Sequence, residues 1–120
     1  MLYKRSQNIT AMTLSIKNRK TTYLYMIEAL GFVGIKVLIT LYENNGEMYI
    51  REVISKAKTG SSSIYRALSV LSDYNLIIYE EKFGRKFILL TKPGWEVAEH
   101  LYKADKIVEE EKRKKTESLT

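Results

Sequence analysis

The sequence contains no cysteine and a single histidine, His100. Disulfide staples and thiolate metal sites are therefore excluded, and one imidazole cannot build a histidine metal centre. Aspartate is nearly missing as well, present only as Asp73 and Asp105. No glycine-rich phosphate loop is present, since the glycines of Gly31–Lys36 lack the required spacing, and no nucleophile motif appears. An enzyme is accordingly not expected, nor is a cofactor or a metal. The N-terminal region also lacks an early apolar stretch followed by a small-residue cleavage site, so a cytoplasmic location is expected.

One apolar run requires a check against membrane insertion. Tyr23–Tyr42 is interrupted only by Glu28 and Lys36. Each charge near a bilayer centre costs roughly 2.5–3.5 kcal/mol, and Gly31 and Gly34 suggest a break between two shorter helices. Two helices burying apolar faces are expected, with no membrane partner.

What the chain has is a modest core and an uneven basic excess. Its 120 residues, 45% of them apolar, suit one domain, and at this size dimerisation is a plausible source of further burial. The net charge is +6, and the first 20 residues carry five cations (Lys4, Arg5, Lys17, Arg19, Lys20) and no acid. Residues 47–92 carry eight cations and five acids, whereas residues 93–120 carry six and seven. The excess thus lies on an N-terminal arm and in the middle of the chain, where it attracts polyanions.

Hydrophobic spacing predicts helices over Thr22–Leu30 and Val33–Glu43, the second stopped by Asn44-Asn45-Gly46. Met48–Ile50 reads as a short extended piece and Arg51–Lys58 as a short helix. A tight turn at Lys58-Thr59-Gly60 leads to a helix from Ser61 to about Tyr74, whose opening serines are expected to satisfy orphan backbone N–H groups. Asn75 suits a left-handed cap. Leu76–Lys82 and Lys86–Thr91 are strand-like and joined by Phe83-Gly84-Arg85. Thr91 caps a last helix with Lys92-Pro93-Gly94 in its first turn, running to about Lys115.

At 100° per residue, Ile64, Ala67, Leu68 and Leu71 define the buried side of the Ser61 helix. Ser62, Arg66 and Ser69 fall opposite, with Ser63 and Tyr65 on the flanks. Arg66 has the reach for a bidentate contact to guanine in a major groove. Thr59, Ser61, Ser62 and Ser63 suit phosphate oxygens near the positive end of the helix dipole. Lys82, Arg85 and Lys86 surround the hairpin tip, and Lys56 and Lys58 flank the turn. Taken singly these features are ordinary solvated side chains; their order and spacing together point to double-stranded DNA.

The pieces "IEALGFVGIKVLITLYENNG", "MYIREVISKAK", "SSSIYRALSVLSDYNLI" and "YEEKFGRKFILLTKPGWEVAEHL" resemble winged helix-turn-helix regulators of the MarR, ArsR and PadR type, particularly small archaeal ones. Ser63-Ile64-Tyr65-Arg66-Ala67-Leu68, Asn75-Leu76-Ile77 and Leu90–Gly94 carry most of the likeness. Two positions depart from it: Ile54 replaces the alanine at the helix crossing, and Gly60 stands where a capping serine is usual. The resemblance implies a mostly α fold with a small β-hairpin wing (α+β), flanked by N- and C-terminal dimerisation helices. With the charge and spacing read above, the expected division is a basic flexible arm (1–20), a winged helix-turn-helix domain (21–92), a dimerisation helix (93–115) and a tail (116–120). The resemblance also implies transcriptional regulation by a homodimer, and it brings neither operator nor effector with it.

The last helix carries Val97, Leu101, Ala104 and Val108 at coiled-coil spacing, widened by Trp95, Ala98 and Tyr102. Leu24 and Ile27 of the first helix are expected to join this dimer interface. Glu109–Arg113, Glu110–Lys114 and Glu111–Lys115 form i,i+4 pairs, each contributing about 0.2–0.5 kcal/mol. The alternative is a winged-helix adaptor docking on another protein, which would call for an exposed apolar face on the Ser61 helix. That face is polar.

Overall fold

A computed structural model describes residues 25–119. The leading arm and Leu24 lie outside the described residues. Helix α1 (Tyr25–Glu43) is one run interrupted at Gly31, whose φ of 70° departs from helical geometry. The expected break therefore falls at the first glycine. Gly34 instead lies buried within the helix, where a Cβ would sit 3.4 Å from Leu30 and 3.8 Å from Leu71. Both are ordinary van der Waals distances, so the site packs against Leu71 without needing glycine. α1 is long and apolar enough to span a bilayer, yet Val37, Leu38 and Leu41 have no exposed surface. Its C-terminal half is the centre of the core.

Asn45 and Gly46 end α1 in left-handed conformations, and the Gly46 N–H donates to the Leu41 carbonyl at 2.7 Å. Strand β1 (Glu47–Tyr49) leads into α2 (Ile50–Ala57), whose start is fixed by the Tyr49 N–H donating to the Glu52 carboxylate at 3.3 Å. Val53 and Ala57 are fully buried, and Ile54 packs against the core margin despite its bulk at the helix crossing. Lys58, with φ 53°, makes the turn.

Helix α3 (Ser61–Asp73) buries Ile64, Leu68 and Leu71 completely. The serines do not cap it. Gly60 occupies the cap position without a side chain to offer, and the three serines form the first turn. At the other end the Leu76 N–H donates to the Leu71 carbonyl at 2.9 Å around the left-handed Asn75, φ 58°. This is the usual way to satisfy the last carbonyls of a helix.

Strands β2 (Ile77–Lys82) and β3 (Arg85–Leu90) form an antiparallel hairpin, and β1 pairs on the free side of β3 to give the order β1-β3-β2. The turn is two residues long, Phe83-Gly84, because Arg85 already pairs with Lys82. Met48, Ile77, Ile88 and Leu90 bring the inner face of the sheet into the core formed by α1, α2 and α3.

Thr91 caps α4 (Lys92–Leu119) as expected, its hydroxyl accepting from the Gly94 N–H at 3.0 Å and donating to the Asn75 carbonyl at 2.7 Å. The helix continues to Leu119, past the expected limit near Lys115, and its far half is exposed. Charge pairing there differs from the i,i+4 set. Arg113 pairs with Glu110 and Glu117, Lys114 with Glu111, and Glu109 with Lys106. Residues three apart are as close on a helix as residues four apart, and exposed side chains take whichever is nearer. Two short helices, a turn and a three-stranded wing make this a winged helix-turn-helix fold.

Candidate nucleic-acid interface

α3 is two-faced. With Ile64, Ala67, Leu68 and Leu71 turned inward, Ser62, Tyr65, Arg66 and Ser69 are left exposed in one strip along its solvent side. Ser61 is exposed and Ser63 half-buried at its N-terminus, where no side chain caps the first N–H groups. An anion approaching that end meets unsatisfied donors and the positive pole of the helix.

Beside this strip lies an open cleft of about 440 Å³, lined by Tyr49, Ile50, Arg51, Tyr65, Arg85 and Lys86. It joins the start of α2, the exposed side of α3 and the tip end of the wing. Arg51, Arg85 and two tyrosines bring their side chains to it, while Lys86 lines its edge and turns its ammonium to the other face of the sheet. Register explains how the wing contributes. Arg85 and Lys86 are adjacent on β3 and so project to opposite sheet faces. The Arg85 guanidinium lies 5.1 Å from the Tyr49 ring centre, and the Lys86 ammonium 5.2 Å from that of Tyr79. Such contacts orient a cation while leaving its N–H groups open to solvent.

The other cations expected at this surface are placed differently. Lys82 pairs with Glu47 at 3.0 Å and Glu80 at 3.5 Å, and the hydrogen bond to Glu47 holds its ammonium above the ordinary lysine range. Lys56 donates to the Asn44 side chain at 2.6 Å and lines a separate groove between α1 and α4. Lys82 is thus ion-paired within the sheet, whereas Lys56 stays exposed and is turned toward the end of α1. Lys58 is exposed at the α2–α3 turn, and the Thr59 hydroxyl donates to the Ala57 carbonyl at 3.1 Å. Tyr49 and Arg51 belong to the cleft and were not among the expected residues. Arg51 sits at the strand-to-helix junction, so the sequence showed it as one more solvated helix cation.

The expected dimer residues divide into two groups. Ala98 has no exposed surface and belongs to the core of its own chain, and Val97 and Leu101 pack against that core. Trp95 and Tyr102 flank Tyr42, with ring centres at 5.7 and 4.9 Å. The near half of α4 is thus largely consumed within the chain. The reason is that α4 must first seal the α1 side of the domain, which uses the same stripe. Ala104 and Val108 are exposed, and Ile107 joins them, with 69% of Val108 and 65% of Ile107 open to solvent. Ile27 and Phe32 on α1 are likewise exposed.

No family model matches the chain, and no curated protein does. Solved structures share its fold. The chain is similar to ZitR of Lactococcus lactis, at 19% identity and a TM-score of 0.62, over 88% of this chain and 82% of that one. It is also similar to a MarR family transcriptional regulator of Silicibacter pomeroyi, at 17% identity and a TM-score of 0.62, over 86% and 74% of the two chains. A third is Sso10a-2, a DNA-binding protein from Sulfolobus solfataricus, at 19% identity and a TM-score of 0.54, over 71% and 93%. At these identities the likeness establishes the winged helix-turn-helix class.

Proposed function

We propose that this protein is a sequence-specific, double-stranded DNA-binding transcriptional regulator that acts as a homodimer. The observation that carries the reading is the shared cleft, which Arg51, Tyr65 and Arg85 line from α2, α3 and β3, with Lys86 at its edge. In this reading α3 enters the major groove, with Arg66 and Tyr65 facing base edges and Ser62 and Ser69 beside them. The first turn of α3 and the cleft cations take the flanking phosphates. The exposed end of α4, with Ala104, Ile107 and Val108, pairs with its counterpart and places two copies of α3 on half-sites about 34 Å apart. Two of the similar structures support this reading, one being a MarR family transcriptional regulator and the other a DNA-binding protein.

The test is fluorescence anisotropy of a mixed-sequence duplex across a salt series, with wild type beside Arg66→Ala and Arg85→Ala. The logarithm of affinity should fall linearly with the logarithm of salt concentration. Arg85→Ala should flatten that slope by about one. Arg66→Ala should weaken binding to a selected site by about 1–3 kcal/mol and relax preference at one base pair. A folded protein that leaves the duplex unbound at low salt would refute the reading and direct attention to a protein partner.

A further inference from the structure

The wing ends in a residue that hairpin chemistry alone would not select. Phe83 and Gly84 form the two-residue turn between β2 and β3, with φ of 53° and 73°. Turns with two positive φ values favour asparagine, aspartate or glycine, because a side chain there crowds its own backbone. A bulky aromatic in that conformation is an outlier. Packing does not offset the strain, since 96% of Phe83 is exposed. An apolar ring is therefore held in water, in a disfavoured conformation, at the end of a two-stranded support.

The surroundings of the ring limit what it can fit. Its neighbours along the hairpin are Glu81, Lys82, Arg85 and Lys86. One ring among charges is far smaller than the roughly 800 Å² per partner that a stable protein interface buries. It does match the gap between two stacked base pairs, and Arg85 and Lys86 supply the cations for phosphates on either side.

We propose that Phe83 is an apolar wedge that enters the minor groove of duplex DNA beside the half-site and partly unstacks one base step. The proposal rests on the DNA-binding reading and adds to it a mode of recognition. Inserted side chains of this kind kink the duplex by about 20–90° toward the major groove. Pyrimidine–purine steps unstack most easily, so the wedge selects sequence at a step where no hydrogen bond to a base is made.

Two variants of the full chain test it on a duplex of about 30 base pairs. Phe83→Asn suits the turn, so its Tm should rise by roughly 2–6 °C, while DNA affinity falls about tenfold with an unchanged salt slope. Phe83→Trp places a reporter at the tip. After subtraction of the native Trp95 signal, its emission should be quenched by DNA and shielded from acrylamide in the complex. If Phe83→Asn binds as wild type does and the tip tryptophan stays open to acrylamide in the complex, the wedge is wrong and the DNA reading stands. If Phe83→Asn instead lowers Tm, or changes the salt slope, the residue acts through the fold or through charge, and the wedge is again overturned. If wild type does not bind the duplex, both readings fall and the ring belongs to a protein contact.

Discussion

Gly94→Ala should destabilise the protein by about 3 kcal/mol, although by helix propensity alone it would count as an improvement. Gly94 lies in the first turn of α4 and is buried. A Cβ there would stand 1.9 Å from the Leu76 carbonyl oxygen and 2.9 Å from its carbon. The obstacle is backbone at the exit of α3, and that backbone is already fixed by the Thr91 N–H donating to the same carbonyl at 3.1 Å. No side-chain rotation relieves the clash, so α4 must lift from the domain. Thermal unfolding should show Tm lowered by roughly 10–20 °C. Gly60→Ser is the matched contrast. Gly60 has φ −55° and holds the cap position of α3, and a Cβ there would meet no atom within 4 Å. Serine there should raise stability by a few tenths of a kcal/mol. Equal responses at the two glycines would show that local propensity, rather than the close approach at Leu76, governs the junction.

The second large effect concerns the outer half of α4. Ile107→Glu combined with Val108→Glu should leave the fold intact, because both residues are exposed in the single chain. In the proposed dimer the two carboxylates would face their counterparts across an apolar seam, where unpaired charge is costly. Sedimentation should then show monomers, with an unchanged far-ultraviolet circular dichroism spectrum. Losing the second half-site removes the gain from joint engagement, and affinity for a two-half-site duplex should fall about 100-fold or more. Binding to an isolated half-site should be spared. Retention of the dimer would move the interface to another surface, the exposed Ile27 and Phe32 of α1 being the next to test.

The fold was legible in the sequence because its signals are local. The order of helices and strands, the left-handed Asn75 and the Thr91 cap all follow from spacing and from residues with one favoured use. The exposed face of α3 was legible for the same reason, as a stripe of four buried residues defines its opposite. What could not be read was competition between contacts far apart in the chain. Lys82 resembled a phosphate ligand until the sheet placed Glu47 beside it. Ala98 and Leu101 fit a coiled-coil seam, yet their spacing serves equally to seal α4 onto α1. Arg51 joined the cleft only because β1 and β3 are neighbours. Phe83 carried the opposite kind of signal, a residue that breaks the rule of its own turn, and such breaches gather at functional positions.

β3 occupies the middle of the sheet, and Met48 faces Ile88 across it. The entire helix-turn-helix is therefore a loop whose two ends are closed by a single strand pairing. On the way to the native state α2 and α3 can form from near neighbours, whereas β1 has no partner until the distant hairpin exists. That closure carries the entropy cost of a long loop, so it belongs to the late part of folding. Amide exchange should report the same order in reverse. The β1 amides are expected to open together with those of β3, and before those of the α1–α3 core, which makes the short strand the latch of the helix-turn-helix.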